Sequence, residues 1–322
     1  MKKSLTVLIL SLTLIMQFTI SPVAQAEESS VWEDQLPKIL DKIKKPTFPD
    51  KEFFVDDYGA VADGKTKSTE AFNEAIQAAH EAGGGRVVVP EGTYLTGAIH
   101  LKSNVNLHVK KGATIKFSQD PKDYLPVVYT RYEGTELYNY SPLVYAYGKK
   151  NIAITGEGTL EGQADDEHWW PWTSQEGAAK QLLNEMAENN VPVEERVFGN
   201  GHYLRPNMIQ FYRSKNILID GVTVKNSPMW HIHPVLSENV TIQNVKVVGP
   251  GPNNDGINPE SSKNVLIKNS YFDNGDDCIA IKSGKDGDGR RIDVPSENII
   301  IQGNHMKDGN GGVVIGSEMT GG

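Results

Sequence analysis

Asp276 and Asp277 are adjacent, and Asp255 precedes them by roughly one structural repeat. A lone Asp before a strand is ordinary turn chemistry. Two adjacent carboxyls with a third stacked on the neighbouring coil repel one another, and crowding of this kind raises at least one carboxyl pKa. Such a cluster destabilises a fold unless one group gives a proton while another takes one, or a cation is held among them.

The aspartates meet only if the chain winds regularly. Segments beginning at Asn216, Asn239, Asn264 and Asn298 share one pattern: Asn, alternating apolar residues, then Asn or Gly. They start 23, 25 and 34 residues apart, and weaker copies begin at Asn104 and Asn151. The apolar period is two and rich in β-branched residues, so these are strands. Strands recurring in one direction predict an all-β fold, a right-handed parallel β-helix, each coil adding about 4.8 Å along the axis. The last interval is long because Gly284 to Pro295 reads as an inserted loop. Asn recurring at one position suits left-handed turns and stacked, hydrogen-bonded amides.

Ahead of the repeats, Ser68 to Ala82 has helical spacing with Ala71, Phe72, Ala75, Ile76 and Ala79 on one face. Thr66 or Ser68 is placed to cap it, and Gly83 to Gly85 ends it. A strand from Arg86 to Pro90, a Glu91-Gly92 turn and Thr93 to Leu95 follow. This short helix is expected to cap the N-terminal end of the core. A long excursion at about 164–206 carries Trp169, Trp170 and Trp172 and a short helix from Gly177 to Glu188. Its tryptophans suit either a sugar-stacking wall or a pin holding the loop to the coil.

Alignment of the coils places Ile209, Ile232, Ile257, Ile279 and Val313 in one inward column. Gln210, His233, Asn258, Ala280 and Val314 then form one outward row, and Tyr212, Val235, Glu260, Lys282 and Gly316 another. So polar an outer face reads as a ligand-binding floor. Asp255 and Asp277 fall two positions before inward isoleucines, where strict alternation would bury them unpaired at high cost. The backbone must bend there, helped by Gly256 and Gly275. Asp276 stacks between Asn254 and Asn310.

Compartment and partners follow from the ends and the charge. Lys2 and Lys3, an apolar run from Leu5 to Ile20 and Ala24-Gln25-Ala26 form a secretory signal pattern over 1–26, rather than a membrane anchor. A lead segment at 27–52 and the β-helix at 53–322 follow, and a secreted, extracellular monomer is expected. Removing 26 residues and two Lys leaves 322 − 26 = 296 residues with a net charge of −9 − 2 = −11. That balance argues against nucleic acid as a partner. The single cysteine, Cys278, cannot form an internal disulfide, and no neighbouring base marks it as a nucleophile.

The ordered motifs Asn253-Asn254-Asp255, Gly275-Asp276-Asp277 and Gly309-Asn310-Gly311 resemble those of the polygalacturonase family of glycoside hydrolases, family 28. Asp57 to Gly64, Gly97 to Leu107, Ser227 to Pro234 and Gly316 to Glu318 are similar to that family too, and the resemblance covers most of 53–322. It implies hydrolysis of α-linked galacturonic acid in pectin with inversion, Asp276 as general acid, Asp255 and Asp277 activating water, and no metal or cofactor. Inverting hydrolases hold the two functions roughly 6.5–9.5 Å apart. Mutual repulsion is expected to keep Asp276 protonated while its neighbours ionise. Lys282 is the expected partner of a sugar carboxylate. Asn253 and Asn310 are further substrate contacts, Trp230 and His233 suit another subsite, and Arg205 either holds the tryptophan loop or reaches the cleft.

Two departures stand out. Asn310 occupies the family's histidine position, as in relatives acting on rhamnogalacturonan and other pectin variants, and it donates hydrogen bonds without titrating. The family's later Arg-x-Lys motif has no counterpart before Gly322, so truncation with an open strand edge is expected. Two other classes remain. A calcium-dependent pectate lyase needs an Arg base, yet Arg290 and Arg291 lie in the inserted loop. A non-catalytic carbohydrate-binding β-helix needs neither the histidine nor the later motif.

Overall fold

The computed structural model describes residues 30–322; the expected signal segment at 1–26 lies outside them. Among the described residues, two parallel sheets of eight strands each and a third, shorter sheet wrap one apolar core. The strand starting at each repeated Asn pairs with its counterpart one coil on, in the register that the repeat predicts: Ile217 with Val240, Val240 with Val265, Val265 with Ile299. The chain is the expected parallel β-helix.

The asparagines act as foreseen. Asn104, Asn151, Asn216, Asn239, Asn264 and Asn298 all have left-handed backbones, with φ between 54° and 66°. Their amides form one ladder, each Nδ2 donating to the preceding Oδ1 at 2.9–3.4 Å. Each residue thus turns the chain at modest steric cost and satisfies its own side chain.

The helix Thr69–Glu81 buries the five apolar residues that its spacing marked. Ser68 precedes it without capping it: its hydroxyl accepts from the Val61 amide at 3.0 Å. A further helix, Val31–Lys42, occupies the lead segment, closed by a Ser30–Glu33 capping box and burying none of its residues. The inserted loop after Gly284 holds one short helix, Asp286–Ile292.

The column forms in the aligned register, with Ile209, Ile232, Ile257 and Ile279 buried; Val313 pairs with Ile279 as expected but is 51% exposed, because no further coil among the described residues covers it. The outward floor does not form. Gln210, His233, Asn258 and Glu260 are fully buried, Gln210 and Glu260 in contact with the antiparallel hairpin Val128–Tyr132 and Thr135–Asn139. Arg131 pairs with Glu260 at 2.9 Å, and Thr130 Oγ1 donates to Gln210 Oε1 at 2.6 Å. Burial would raise the Glu260 carboxyl, but Arg131 and His233 bring it down to about 2. The polar row is therefore the buried face of a clamp. Its partner strand lies 129 residues away in sequence, beyond reach of any repeat pattern.

The tryptophans pin their loop. Trp169 is buried edge-on to Tyr124 and Trp172, Trp172 also packs on Tyr140 and Tyr203, and Trp170 Nε1 donates to Ser227 O at 3.0 Å. Cys278 is buried in the core with its thiol pushed up to about 11 by burial, which removes it as a nucleophile.

Asn239→Ala removes two rungs of the ladder and places a Cβ-bearing residue without side-chain compensation at φ 56°. It should cost about 2–3 kcal/mol in urea unfolding. Stability within about 0.5 kcal/mol of the parent would show the ladder to be incidental.

Candidate active site

The turn that carries Asp255 is built by close approach of neighbouring coils. Asn254 Nδ2 donates to the carbonyls of Ser227 and Met229, at 2.9 and 3.0 Å, and its Oδ1 accepts from the Gly251 amide. A Cβ at Gly256 would lie 2.4 Å from Cys278 O, and one at Gly275 would lie 2.4 Å from Gly251 O. These glycines are thus required by coil-to-coil contact, whereas the sequence suggested only an easy bend. The turn redirects Asp255 away from the core column.

Asp255 is 3% exposed. Its Oδ2 accepts from Asn258 Nδ2 at 3.0 Å and lies 3.8 Å from Lys282 Nζ. Lys282 is itself buried. Its ammonium sits 2.7 Å from Glu318 Oε2, donates to Gly316 O at 3.2 Å and lies 4.6 Å from the centre of the Trp230 ring. Asp277 and Asp276 are half-buried on the adjacent coil. Asp276 Oδ1 accepts from the Asp277 amide and from Asn310 Nδ2, both at 3.0 Å.

Two of the three aspartates have raised carboxyl pKa values. Burial pushes the Asp255 carboxyl up to about 7; Lys282 opposes this, while Asp276 and Asp277 add to it. Asp277 is also raised, first by burial and then by Asp276. Desolvation, rather than repulsion centred on Asp276, is the leading effect. Burial would lower the Lys282 ammonium, but Glu318 and Asp255 outweigh it and keep the charge in place.

Several expected substrate contacts are committed elsewhere. Arg205 is fully buried. It donates to Pro228 O, to Pro252 O and to Asn253 Oδ1, the last at 2.7 Å, and its Nε lies 3.4 Å from Glu176. It holds the turn before Asp255 onto the tryptophan loop and does not reach a cleft, and Asn253 is its partner there. His233 is fully buried; Asn207 and Gln210 donate to its Nδ1, so its Nε2 donates to Glu260 at 2.7 Å. Trp230 is buried edge-on to His233 and gives its face to Lys282. Neither residue lines an open subsite. Lys282 is shared between two carboxylates, not held free for a sugar. Asn310 alone of these six is exposed, beside a cavity of about 460 Å³ that Asn274, Gly275 and Gly309 also line.

The sequence places Asn258 only in the outward row and Glu318 only in a family-like segment; their contacts with Asp255 and Lys282 come from the structure. The alignment already held a signal for Glu318: Gly316 stacks on Lys282, and Glu318 follows two positions later. Arg290 and Arg291 pair with Glu188, Glu136 and Asp288, leaving neither aimed at the aspartates.

The fold and the cluster define the class: a parallel β-helix that gathers carboxyls on the turns of adjacent coils beside one buried ammonium. Residues 81–322 match the model of Glycosyl hydrolases family 28, and the chain belongs to that family. It is similar to a hyperthermoactive exopolygalacturonase from Thermotoga maritima, 55% identical, TM-score 0.87, covering 88% of this chain and 67% of that one. A family 28 exopolygalacturonase from Yersinia enterocolitica is 26% identical at a TM-score of 0.68, over 84% of this chain and 51% of that one. A probable polygalacturonase from Vitis vinifera is 33% identical over 83% of this chain and 51% of its own length. The chain spans about half the length of the curated relatives it matches.

A folded Asp255 holds its proton to near pH 7, whereas an unfolded Asp releases it near 3.9. The folded state therefore binds more protons between these values, and stability falls as pH rises through that window. Asp255→Asn should flatten the decline by up to roughly 4 kcal/mol between pH 4 and 7. Parallel stability–pH curves for variant and parent would contradict the assignment. Lys282→Met, which strands two buried carboxyls, should cost roughly 3–5 kcal/mol at pH 7. A near-neutral change in chemical unfolding would show that the ammonium does not hold the cluster.

Proposed function

We propose that this chain hydrolyses the α-linkages of polygalacturonate by a single displacement with inversion, and that residues 53–322 are its catalytic domain. The observation that carries the proposal is the site itself: Asp255 lies 3.8 Å from the Lys282 ammonium and feels the charges of Asp276 and Asp277, in a chain 55% identical to an exopolygalacturonase. Asp276, half-exposed and hydrogen-bonded by Asn310, protonates the leaving glycosidic oxygen. Asp255 and Asp277 take the proton of the attacking water on the opposite face of the ring. A buried base with a raised pKa is the stronger base once ionised. The acid limb of kcat/KM should then lie near pH 7, where Asp255 loses its proton.

We infer cleavage from chain ends. Arg131 and Glu260 clamp the hairpin over the outer face of the coils up to and including the one that carries Asp255, so a polysaccharide cannot run straight along that face. The two exopolygalacturonases among the similar structures support the same mode. Asn310 keeps hydrolysis of other pectic polymers as a second reading, because it substitutes an uncharged donor at the edge of the site. A lyase is disfavoured by the engagement of Arg290 and Arg291, and a purely binding role by the crowding of buried carboxyls. The proposed place of action is extracellular, with the protein as a monomer. Among the described residues no helix is long and apolar enough to cross a membrane.

Asp276→Asn should lower the release of reducing ends by at least about 10²-fold while polymer binding persists. Turnover within a few-fold of the parent would reject Asp276 as the acid. Chromatography of early products should show galacturonate monomer; a ladder of oligomers would reject the chain-end mode.

A further inference from the structure

The hairpin that covers the middle of the third sheet leaves that sheet open again on its other side. There the two outward rows continue as His100 beside Tyr145, and as Tyr147 beside Tyr212. A groove of about 290 Å³ opens over these coils, lined by His100, Lys102, Tyr145, Tyr147 and Lys149 with Leu101 and Ala146 at its base. Tyr147, Tyr212, Val235, Glu260 and Lys282 occupy successive coils of one row. Four steps of about 4.8 Å put the groove about 19 Å from Lys282, with the hairpin standing between.

Its walls are rigid. Tyr147 is 42% exposed, yet its ring is held by Tyr129 edge-on at 5.5 Å and by Tyr212 at 5.6 Å. His100 is fixed by Ser141 Oγ at 2.9 Å and packs edge-on against Tyr145. Burial lowers its pKa, with Lys102 adding to the effect, so the lysines carry the charge of the groove. The neighbouring cations Arg213 and Lys215 pair with Glu136 and Glu238, but neither Lys102 nor Lys149 has an ion-pair partner among the described residues. Two uncompensated ammonium groups beside a preset aromatic face stand out on a chain of net charge −9. Cations oppose carboxylates, and an exposed ring offers its face to the C–H side of a sugar.

We propose that this groove is a second binding site for an anionic polysaccharide, holding a galacturonate stretch away from the aspartates. The identity of the polymer rests on the function proposed above; the site itself rests on the groove. A chain held there cannot pass straight through the hairpin to the aspartates. The groove therefore binds a distal stretch or a separate strand and raises the local concentration of chain ends.

The test is migration in native gels with and without polygalacturonate, in an Asp276→Asn background so that the polymer persists. Polygalacturonate should retard this protein, and salt should relieve the retardation. Lys102→Ala/Lys149→Ala should lose most of the retardation, Tyr147→Ala part of it, and Lys102→Arg/Lys149→Arg should keep it. With Asp276 intact, the double alanine variant should lower the ratio of kcat/KM on polygalacturonate to that on digalacturonate about fivefold, as expected for two half-exposed charge contacts. Undiminished retardation of the double alanine variant overturns the site. Lysine-dependent retardation in a protein that hydrolyses neither substrate would instead sink the hydrolase proposal and leave the groove standing.

Discussion

One buried ammonium holds the site together. Lys282 lies 2.7 Å from Glu318 and 3.8 Å from Asp255, under the face of Trp230 and shielded from water. Two buried carboxyls without that charge would each face a desolvation cost of several kcal/mol. With it, one positive charge is divided between them and opposes the burial that holds a proton on Asp255 to about pH 7. Asp276 and Asp277 add to that upward pressure from the next coil, and Asn310 gives Asp276 a donor that carries no charge. The chemistry available to the cluster follows from this partition of charge more than from the number of aspartates.

The ammonium is useful only if the coils hold it in place. The asparagine ladder fixes one corner of every coil from Asn104 to Asn298. Close glycine contacts fix the turn before Asp255, and Arg205 ties that turn to the excursion at 164–206. On the other flank, Arg131 and Glu260 press the hairpin onto the sheet, and His233 donates a further hydrogen bond to Glu260. Polar residues on a sheet's outer face thus serve a covering element here, not a ligand.

Much of this was legible in the residues. The repeat set the register, the inward isoleucine column, the face of the capping helix and the ladder, because each is a periodic pattern within or between neighbouring coils. The meeting of Asp255 with Asp276 and Asp277 followed from the same register. What stayed hidden depends on segments outside the repeat. The hairpin at Val128–Asn139 carries no periodic signal, so His233 and Glu260 looked available when they are covered. Arg205 and the tryptophans could have faced either way, and only packing directs them inward. The raised carboxyl of Asp255 stayed hidden for a related reason: sequence shows which charges are neighbours, but not how much water each one loses.

In the proposed single displacement, these carboxyls act on opposite faces of one sugar ring. The most direct measurement is proton NMR of the anomeric signal in the first minutes of polygalacturonate hydrolysis, before mutarotation. The new reducing end should be released as the β-anomer from the α-linked polymer. Initial release of the α-anomer would contradict the single displacement, since retention requires a covalent intermediate on one of these aspartates.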